Sequence, residues 1–168
     1  MMKASLVTLI LFATILSGCE TFSAGESTQI DAMAEDEADA SYLGDGGPVL
    51  RALPESTIPK KECGMILWTL DAQRPVAVFR YLAGGDGEIQ LGESHISLGR
   101  LEYNGASGFG VFENQTFRND EGVEVEVSAR FGLGFDGGAY LERGLLKVRD
   151  ASGWSVVAPV AGIAGCRG

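Results

Sequence analysis

The chain has 168 residues and a formal net charge of −10 at pH 7, with 23 acidic residues against 13 Lys and Arg. This length predicts a single domain. Binding to nucleic acid requires clustered Lys and Arg beside the phosphates, so the net charge argues against that function. The same charge argues against electrostatic docking of the whole chain to an anionic membrane surface.

Residues 1–18 have the features of an export signal. Lys3 supplies the positive charge near the start, and residues 6–16 form an uncharged, predominantly apolar region of eleven residues. That region is too short for a helix that spans a bilayer, which needs about 20 residues. We therefore expect residues 1–18 to be a signal peptide that is removed on export.

The signal ends in Leu16-Ser17-Gly18-Cys19, which resembles the lipobox of bacterial lipoproteins. The resemblance implies cleavage before Cys19, attachment of diacylglycerol to its thiol and acylation, such as with palmitate, of its new amino group. Several acyl chains give stable membrane anchoring, where a single chain would not. The resemblance also places the chain in the cell envelope, facing the periplasm. In lipoproteins of this class, Asp directly after the lipidated cysteine favours retention in the inner membrane. The residue at that position here is Glu20, which favours the outer membrane.

Residues 19–59 are predicted to be a disordered, acidic, lipidated linker. Between residues 20 and 55 there are nine acidic residues and one basic residue, Arg51, and the large apolar residues are far apart. So little apolar surface cannot offset the entropy lost when a chain is ordered. A flexible linker of about 40 residues spans roughly 35 Å root-mean-square. We expect the folded domain to occupy residues 60–168.

The sequence of this domain predicts an all-β fold. In residues 123–131 apolar and polar side chains alternate strictly, which indicates a strand with one buried face and one wet face. Glycine, asparagine and aspartate separate the runs, as they do in antiparallel hairpins. Seven or eight strands in a chain of this size favour a single small antiparallel β-sandwich or β-barrel. Runs of strand length occur at residues 65–70, 76–82, 88–91, 96–103, 109–117, 123–131, 139–148 and 154–160.

Two cysteines remain once Cys19 is lipidated, and they lie at the two ends of the β-domain. These are Cys63 and Cys166. A redox pair or a metal site is the alternative interpretation, but the chain has no C-x-x-C motif and one histidine. In the oxidising compartment to which the signal directs the chain, we expect a disulfide that closes the domain.

The sequence gives no positive indication of catalysis, metal binding or a cofactor. His95 follows Ser94 directly, and neighbours on a strand point to opposite faces, which argues against a Ser-His pair. Residues 132–137 match G-x-G-x-x-G, but an apolar strand rather than a helix follows, so we interpret them as a hairpin loop. Trp68 and Trp154 lie in apolar runs and are predicted to pack in the core rather than to form a platform for sugars.

The sequence therefore predicts a non-catalytic, lipid-anchored cell-envelope protein. Its β-domain would bind an unidentified envelope protein or assist an envelope assembly. The alternative is a periplasmic inhibitor of a lytic enzyme, because small lipid-anchored barrels closed by a disulfide include lysozyme inhibitors. A hydrolase that uses Ser94 or a pair of carboxylates is a third hypothesis.

Overall fold

The computed structural model describes residues 49–70 and 75–168, and the regular structure in these ranges is entirely β-strand. The nine strands in the described part are β1 (Leu50–Arg51), β2 (Cys63–Thr69), β3 (Ala77–Leu82), β4 (Gly87–Leu91), β5 (Ser94–Gly108), β6 (Val111–Arg118), β7 (Glu124–Phe135), β8 (Gly138–Arg149) and β9 (Ser155–Cys166). Helices long and apolar enough to cross a membrane are absent from these residues. The predicted signal peptide, Cys19 and the predicted linker up to residue 48 lie outside the described residues.

Strands β2 to β9 form a closed antiparallel barrel. Each strand pairs with the next one along the chain, and β9 returns to pair with β2. In this up-and-down arrangement each of the eight strands has a partner on both sides, so closure removes the open edges of the sheet. The prediction of an all-β antiparallel domain is confirmed, and the structure is a barrel rather than a sandwich.

The strand β7 shows how the alternating pattern builds the barrel. Val123, just before it, and Val125, Val127 and Ala129 are all buried in the core, as their spacing predicts. Inside the barrel, the Phe117 ring lies against the Phe79 and Tyr81 rings, with centroids 5.1 and 5.2 Å apart. Each large apolar side chain buried in this way contributes about 1.5–3 kcal/mol. One cluster of side chains thus forms the barrel core.

The seam between β2 and β9 requires glycine. A Cβ atom added at Gly162 would lie 2.1 Å from the carbonyl oxygen of Ile66 in the facing strand. The two backbones therefore approach too closely for any other residue at this position. Because Ala and Gly have low β-propensity, the sequence predicts a strand that ends at Val160, whereas β9 continues to Cys166.

A disulfide between Cys63 and Cys166 closes this seam, as predicted. The two residues lie directly opposite each other in the β2–β9 ladder, with 3.9 Å between their Cα atoms. The bond joins residues 103 positions apart and ties the start of β2 to the end of β9. It therefore constrains the whole length of the barrel sequence.

Reduction of the disulfide, or Cys63→Ser, is expected to lower the free energy of unfolding by about 4–5 kcal/mol, because the cross-link limits the entropy of the unfolded chain. The strand content should stay the same. Thermal unfolding followed by circular dichroism, with and without reductant, measures both quantities. An unchanged melting temperature would show that pairing of β2 with β9 does not depend on the bond.

Residues 49–62 also belong to the folded part, so the predicted start of the domain at residue 60 is corrected. Leu50 in β1 pairs with Leu91 of β4 and is fully buried in the core. Ile58 is buried against Ile66 on the outside of the barrel. We call residues 52–62 the strap. The prediction failed here because these apolar residues fill separate sites and so show no period.

Arg80 fastens the strap to the outside of the barrel. Its guanidinium donates a hydrogen bond of 3.1 Å to the carbonyl oxygen of Thr57 in the strap. It also forms ion pairs with Glu55 in the strap, at 3.2 Å, and with Glu88 on β4, at 2.7 Å. The side chains of Arg80 and Glu88 are largely buried, so their ion pair is shielded from water, whereas Glu55 is exposed.

Arg80→Met should loosen the strap, because charge-assisted hydrogen bonds of this kind are worth about 1.5–3 kcal/mol. The expected result is faster cleavage after Lys60 and Lys61 by a lysine-specific protease under native conditions. Arg130→Met is the matched control, since Arg130 is exposed on β7 and has no partner in the described part of the chain. Equal cleavage rates in the two variants would contradict this role of Arg80.

Candidate functional site

The region around His95 contains the residues that a hydrolase would need, but in an unsuitable arrangement. His95 Nε2 lies 3.5 Å from Glu88 Oε2 on the outer surface, and Glu88 already pairs with Arg80. Ser94 and His95 line a shallow surface pocket, but in the described structure no hydroxyl is hydrogen-bonded to His95. The geometry gives the histidine an acidic neighbour without a nucleophile.

Two other motifs have simple structural roles. Residues 132–137 form the end of β7 and the turn that leads into β8, where Gly137 has a φ of 81°. This confirms the interpretation as a hairpin loop. Over residues 49–70 and 75–168, no three His, Cys, Asp or Glu side chains are grouped so that they could hold a metal ion.

Arg100 lies partly exposed at one end of the barrel, where aromatic rings and hydrogen-bond acceptors hold its guanidinium. Its guanidinium lies 4.6 Å from the ring centroid of Tyr103 and 5.1 Å from that of Tyr81. It donates hydrogen bonds to the carbonyl oxygen of Gly110, at 3.0 Å, and to Gln115 Oε1, at 3.1 Å. These contacts explain Arg100 as part of the barrel's end, where cation–π stacking replaces an ion pair.

A groove of about 350 Å³ crosses the outer side of the long strands, with polar side chains of β5 to β7 on one side and Leu145 and Val157 on the other. Its side chains are largely bonded to one another. Ser128 Oγ donates to Asn114 Oδ1 and Asn114 Nδ2 donates to Asn104 Oδ1, each at 3.0 Å. Lys147 pairs with Glu126 at 3.0 Å. Because these groups satisfy each other, the groove offers few free donors or acceptors to a ligand.

Strand β9 differs from the others because it is apolar on both sides. Its inward residues fill the barrel, and between Ser155 and Cys166 it carries no charged side chain. In β7, by contrast, the outward positions are Glu124, Glu126, Ser128 and Arg130. Strands that are apolar on both sides normally have both sides covered. The outward side of β9 is therefore the feature that the barrel itself does not explain.

The neighbours of β9 extend this surface. Across the ladders, Ile163 of β9 faces Tyr140 of β8, and Pro159 faces Leu145. The side chains of Leu145 and Val157 are about half exposed, at 51% and 48%. We call the whole surface the apolar face; it comprises Trp68, Leu70, Tyr140, Leu145, Val157, Pro159, Ala161 and Ile163.

The two tryptophans are both partly buried, as predicted from their apolar runs, but they pack against different clusters: Trp154 against the barrel core and Trp68 against the outer cluster of Ile58, Ile66 and Ala77. Trp154 packs against the barrel core from the loop after β8. Asp150 holds this loop by accepting hydrogen bonds from Ser152 and from the backbone amide of Trp154. The bond from the Ser152 hydroxyl contributes most to lowering the pKa of Asp150. Trp68 instead faces outwards from β2, opposite Ala161.

The apolar face deepens into a groove of about 320 Å³ at the end that carries the disulfide. Ile58 of the strap lines one part of it, and Phe135 at the end of β7 lines another. The Phe135 ring packs on Tyr140, with centroids 5.1 Å apart. The strap and the β7–β8 hairpin thus form the two walls, and Trp68 and Ile163 lie between them.

Charge is unevenly divided between the two sides of the barrel. Strands β2, β8 and β9 together carry one carboxylate, Glu142, and three cations. Strands β4 to β7 carry five carboxylates and three cations. Four cations near the apolar face form no ion pair with any described residue: Lys60, Lys61, Arg143 and Arg167. Glu62 directly follows Lys61 and Glu142 directly precedes Arg143, and Asp136 lines the disulfide-end groove together with Arg167.

The fold and the apolar face define a class of protein: a small up-and-down β-barrel with an apolar outer side that is partly exposed in the described part of the chain. Comparison with known protein families finds no match to this chain. Comparisons with curated proteins and with solved structures find none either. The function must therefore be argued from the barrel's own surface.

If the outward side of β9 is dispensable for folding, Val157→Glu should change the free energy of unfolding by no more than about 0.5 kcal/mol. Ala158→Glu, one position along and fully buried, should cost at least about 3 kcal/mol because it buries a charge without a partner. Denaturant unfolding of the two variants measures the difference. Similar losses would mean that the apolar face is part of the core.

Proposed function

We propose that the chain is a non-catalytic, lipid-anchored cell-envelope protein whose barrel is a binding module. Its contact surface is the apolar face, by which it holds another component of the envelope. The observation that carries this proposal is the outward side of β9, which is apolar from Val157 to Ile163 and keeps Val157 exposed and Pro159, Ala161 and Ile163 partly exposed in the described structure. Contiguous exposed apolar surface of this kind marks interaction sites in soluble domains.

Two features support an envelope location. The sequence Leu16-Ser17-Gly18-Cys19 has the form of a lipobox, and the Cys63–Cys166 bond suits a protein of an oxidising compartment. With those two cysteines joined, Cys19 is the one thiol left for acylation. Lipid anchoring through Cys19, with the outer membrane favoured over the inner, remains part of the proposal.

The anchor is tested by Cys19→Ser. We expect this variant to lose incorporation of labelled fatty acid and to accumulate as the precursor that keeps residues 1–18. Cys63→Ser is the control, because it removes a cysteine but leaves the lipobox intact. Intact mass measurement of the mature wild-type chain gives the same information directly. A free thiol on Cys19 would rule out the anchor.

The contact surface is tested with a photo-crosslinking residue placed at Val157 in living cells. We expect covalent adducts there, because the proposed component covers this position. Leu101 is the matched control: it is an apolar residue with 55% exposure on β5, across the barrel from β9. If adducts formed at Leu101 as often as at Val157, the crosslinks would reflect random collisions with other molecules, and the proposed contact surface would be wrong. Loss of lysozyme activity on mixing with the purified chain would instead favour the inhibitor alternative.

A further inference from the structure

We infer that the component covering the apolar face is the phospholipid surface of the membrane that holds the chain, so that the barrel lies on its β2, β8 and β9 side. This inference rests on the proposed function for the lipid anchor. It goes further by naming the chemistry of what the face contacts and by fixing which side of the barrel is turned to the membrane.

The composition of the face fits the boundary between acyl chains and headgroups. Leu145, Val157 and Ile163 supply aliphatic surface, while Trp68 and Tyr140 each combine a large apolar ring with a polar group. Tryptophan and tyrosine are enriched at this boundary because one part of the ring prefers hydrocarbon and the other part prefers water. The carboxylates that adjoin the face are Asp136, at its disulfide end, and Glu142, between Tyr140 and Leu145 on β8, and both would have to stay at its edge because a carboxylate is costly to desolvate against lipid.

The distribution of charge also favours lipid on this side. The four cations without an ion pair in the described structure, Lys60, Lys61, Arg143 and Arg167, border the face. Such side chains can extend from an apolar surface towards lipid phosphates. Strands β2, β8 and β9 carry one carboxylate, Glu142, and Glu126 of the adjacent strand β7 is paired with Lys147 beside Leu145 and Val157. The net charge of −10 therefore does not describe the side on which the barrel would lie.

The shape of the face points in the same direction. The outside of a closed barrel is convex, and a rigid partner would need a matching hollow to cover strands β2, β8 and β9 together. A lipid surface can deform around such a shape. Affinity can also be low, because residues 20–48 would tether the barrel to its own anchor. A linker of about 30 residues gives an effective concentration in the millimolar range.

The experiment uses Trp68 as the probe and the mature chain beginning at Cys19. Because Cys63 and Cys166 are joined, Cys19 can be coupled selectively to a maleimide lipid in vesicles of phosphatidylethanolamine and phosphatidylglycerol. Part of the lipid carries brominated acyl chains, which quench nearby tryptophan. Trp154→Phe leaves Trp68 as the sole tryptophan, and Trp68→Phe leaves Trp154. We expect brominated lipid to remove most of the Trp68 fluorescence and to leave that of Trp154 nearly unchanged.

Variants of the face then test the orientation. Leu145→Glu combined with Val157→Glu, in the Trp154→Phe background, should restore Trp68 fluorescence, whereas Leu101→Glu on the opposite side should not. The inference is overturned if Trp68 is not quenched, or if quenching persists in the double variant. It is also overturned if the chain forms dimers in solution that the double variant dissolves, since a second copy would then cover the face. In this experiment chemical coupling replaces natural lipidation. If Cys19 proved to carry no lipid in cells, the proposed lipid anchor would be overturned, but the measured contact between the apolar face and the vesicle would still stand.

Discussion

The pairing of β2 with β9 is the constraint on which the other features depend. Seven residues of β2 face seven of β9, and Gly162 lets the two backbones approach closely enough for this ladder to form. Without the pairing of β2 with β9, both strands would be open edges of the sheet. Open edges that are rich in apolar side chains are a usual route to aggregation. The same pairing places Cys63 opposite Cys166, and it joins the outward residues of two uncharged strands into one surface. Closure of the barrel and formation of the apolar face are therefore a single event.

The strands of the barrel could be predicted because each has a local sequence pattern that indicates a strand. The alternation in residues 123–131 indicates which side chains enter the core, and the cysteine positions indicate closure without any knowledge of the fold. The strap could not be found in this way. Leu50, Leu53 and Ile58 are buried by three different parts of the barrel, so their spacing follows no strand or helix period. The spacing of the buried residues in such a segment is set by the sites on the barrel that they fill, and not by a regular secondary structure of the segment itself.

The apolar face was visible in the sequence but could not be interpreted there. Residues 155–165 lack charge, whereas β7 alternates, and this contrast is the signal that one strand has a second apolar side. In an uninterrupted apolar run such as that around Trp68, periodicity does not show which residues point inwards. The register of β2 against β9 decides it and turns Trp68 outwards opposite Ala161. The three aromatic rings that stack on Arg100 likewise come from β3, β5 and β6. The position of this arginine at the end of the barrel therefore could not be predicted from any one strand.

The strap and the disulfide together determine how the barrel would bear mechanical load. In an anchored chain, tension between the membrane and the barrel enters at β1 and passes along residues 52–62 to Cys63. There the covalent bond to Cys166 divides the load between the first and last strands of the barrel. The two-residue pairing of β1 with β4, and then the strap, held by Arg80 and a few side chains, would yield before the barrel and lengthen the connection. Further unravelling would stop at Cys63, so the domain can give way at its attachment without the barrel being opened.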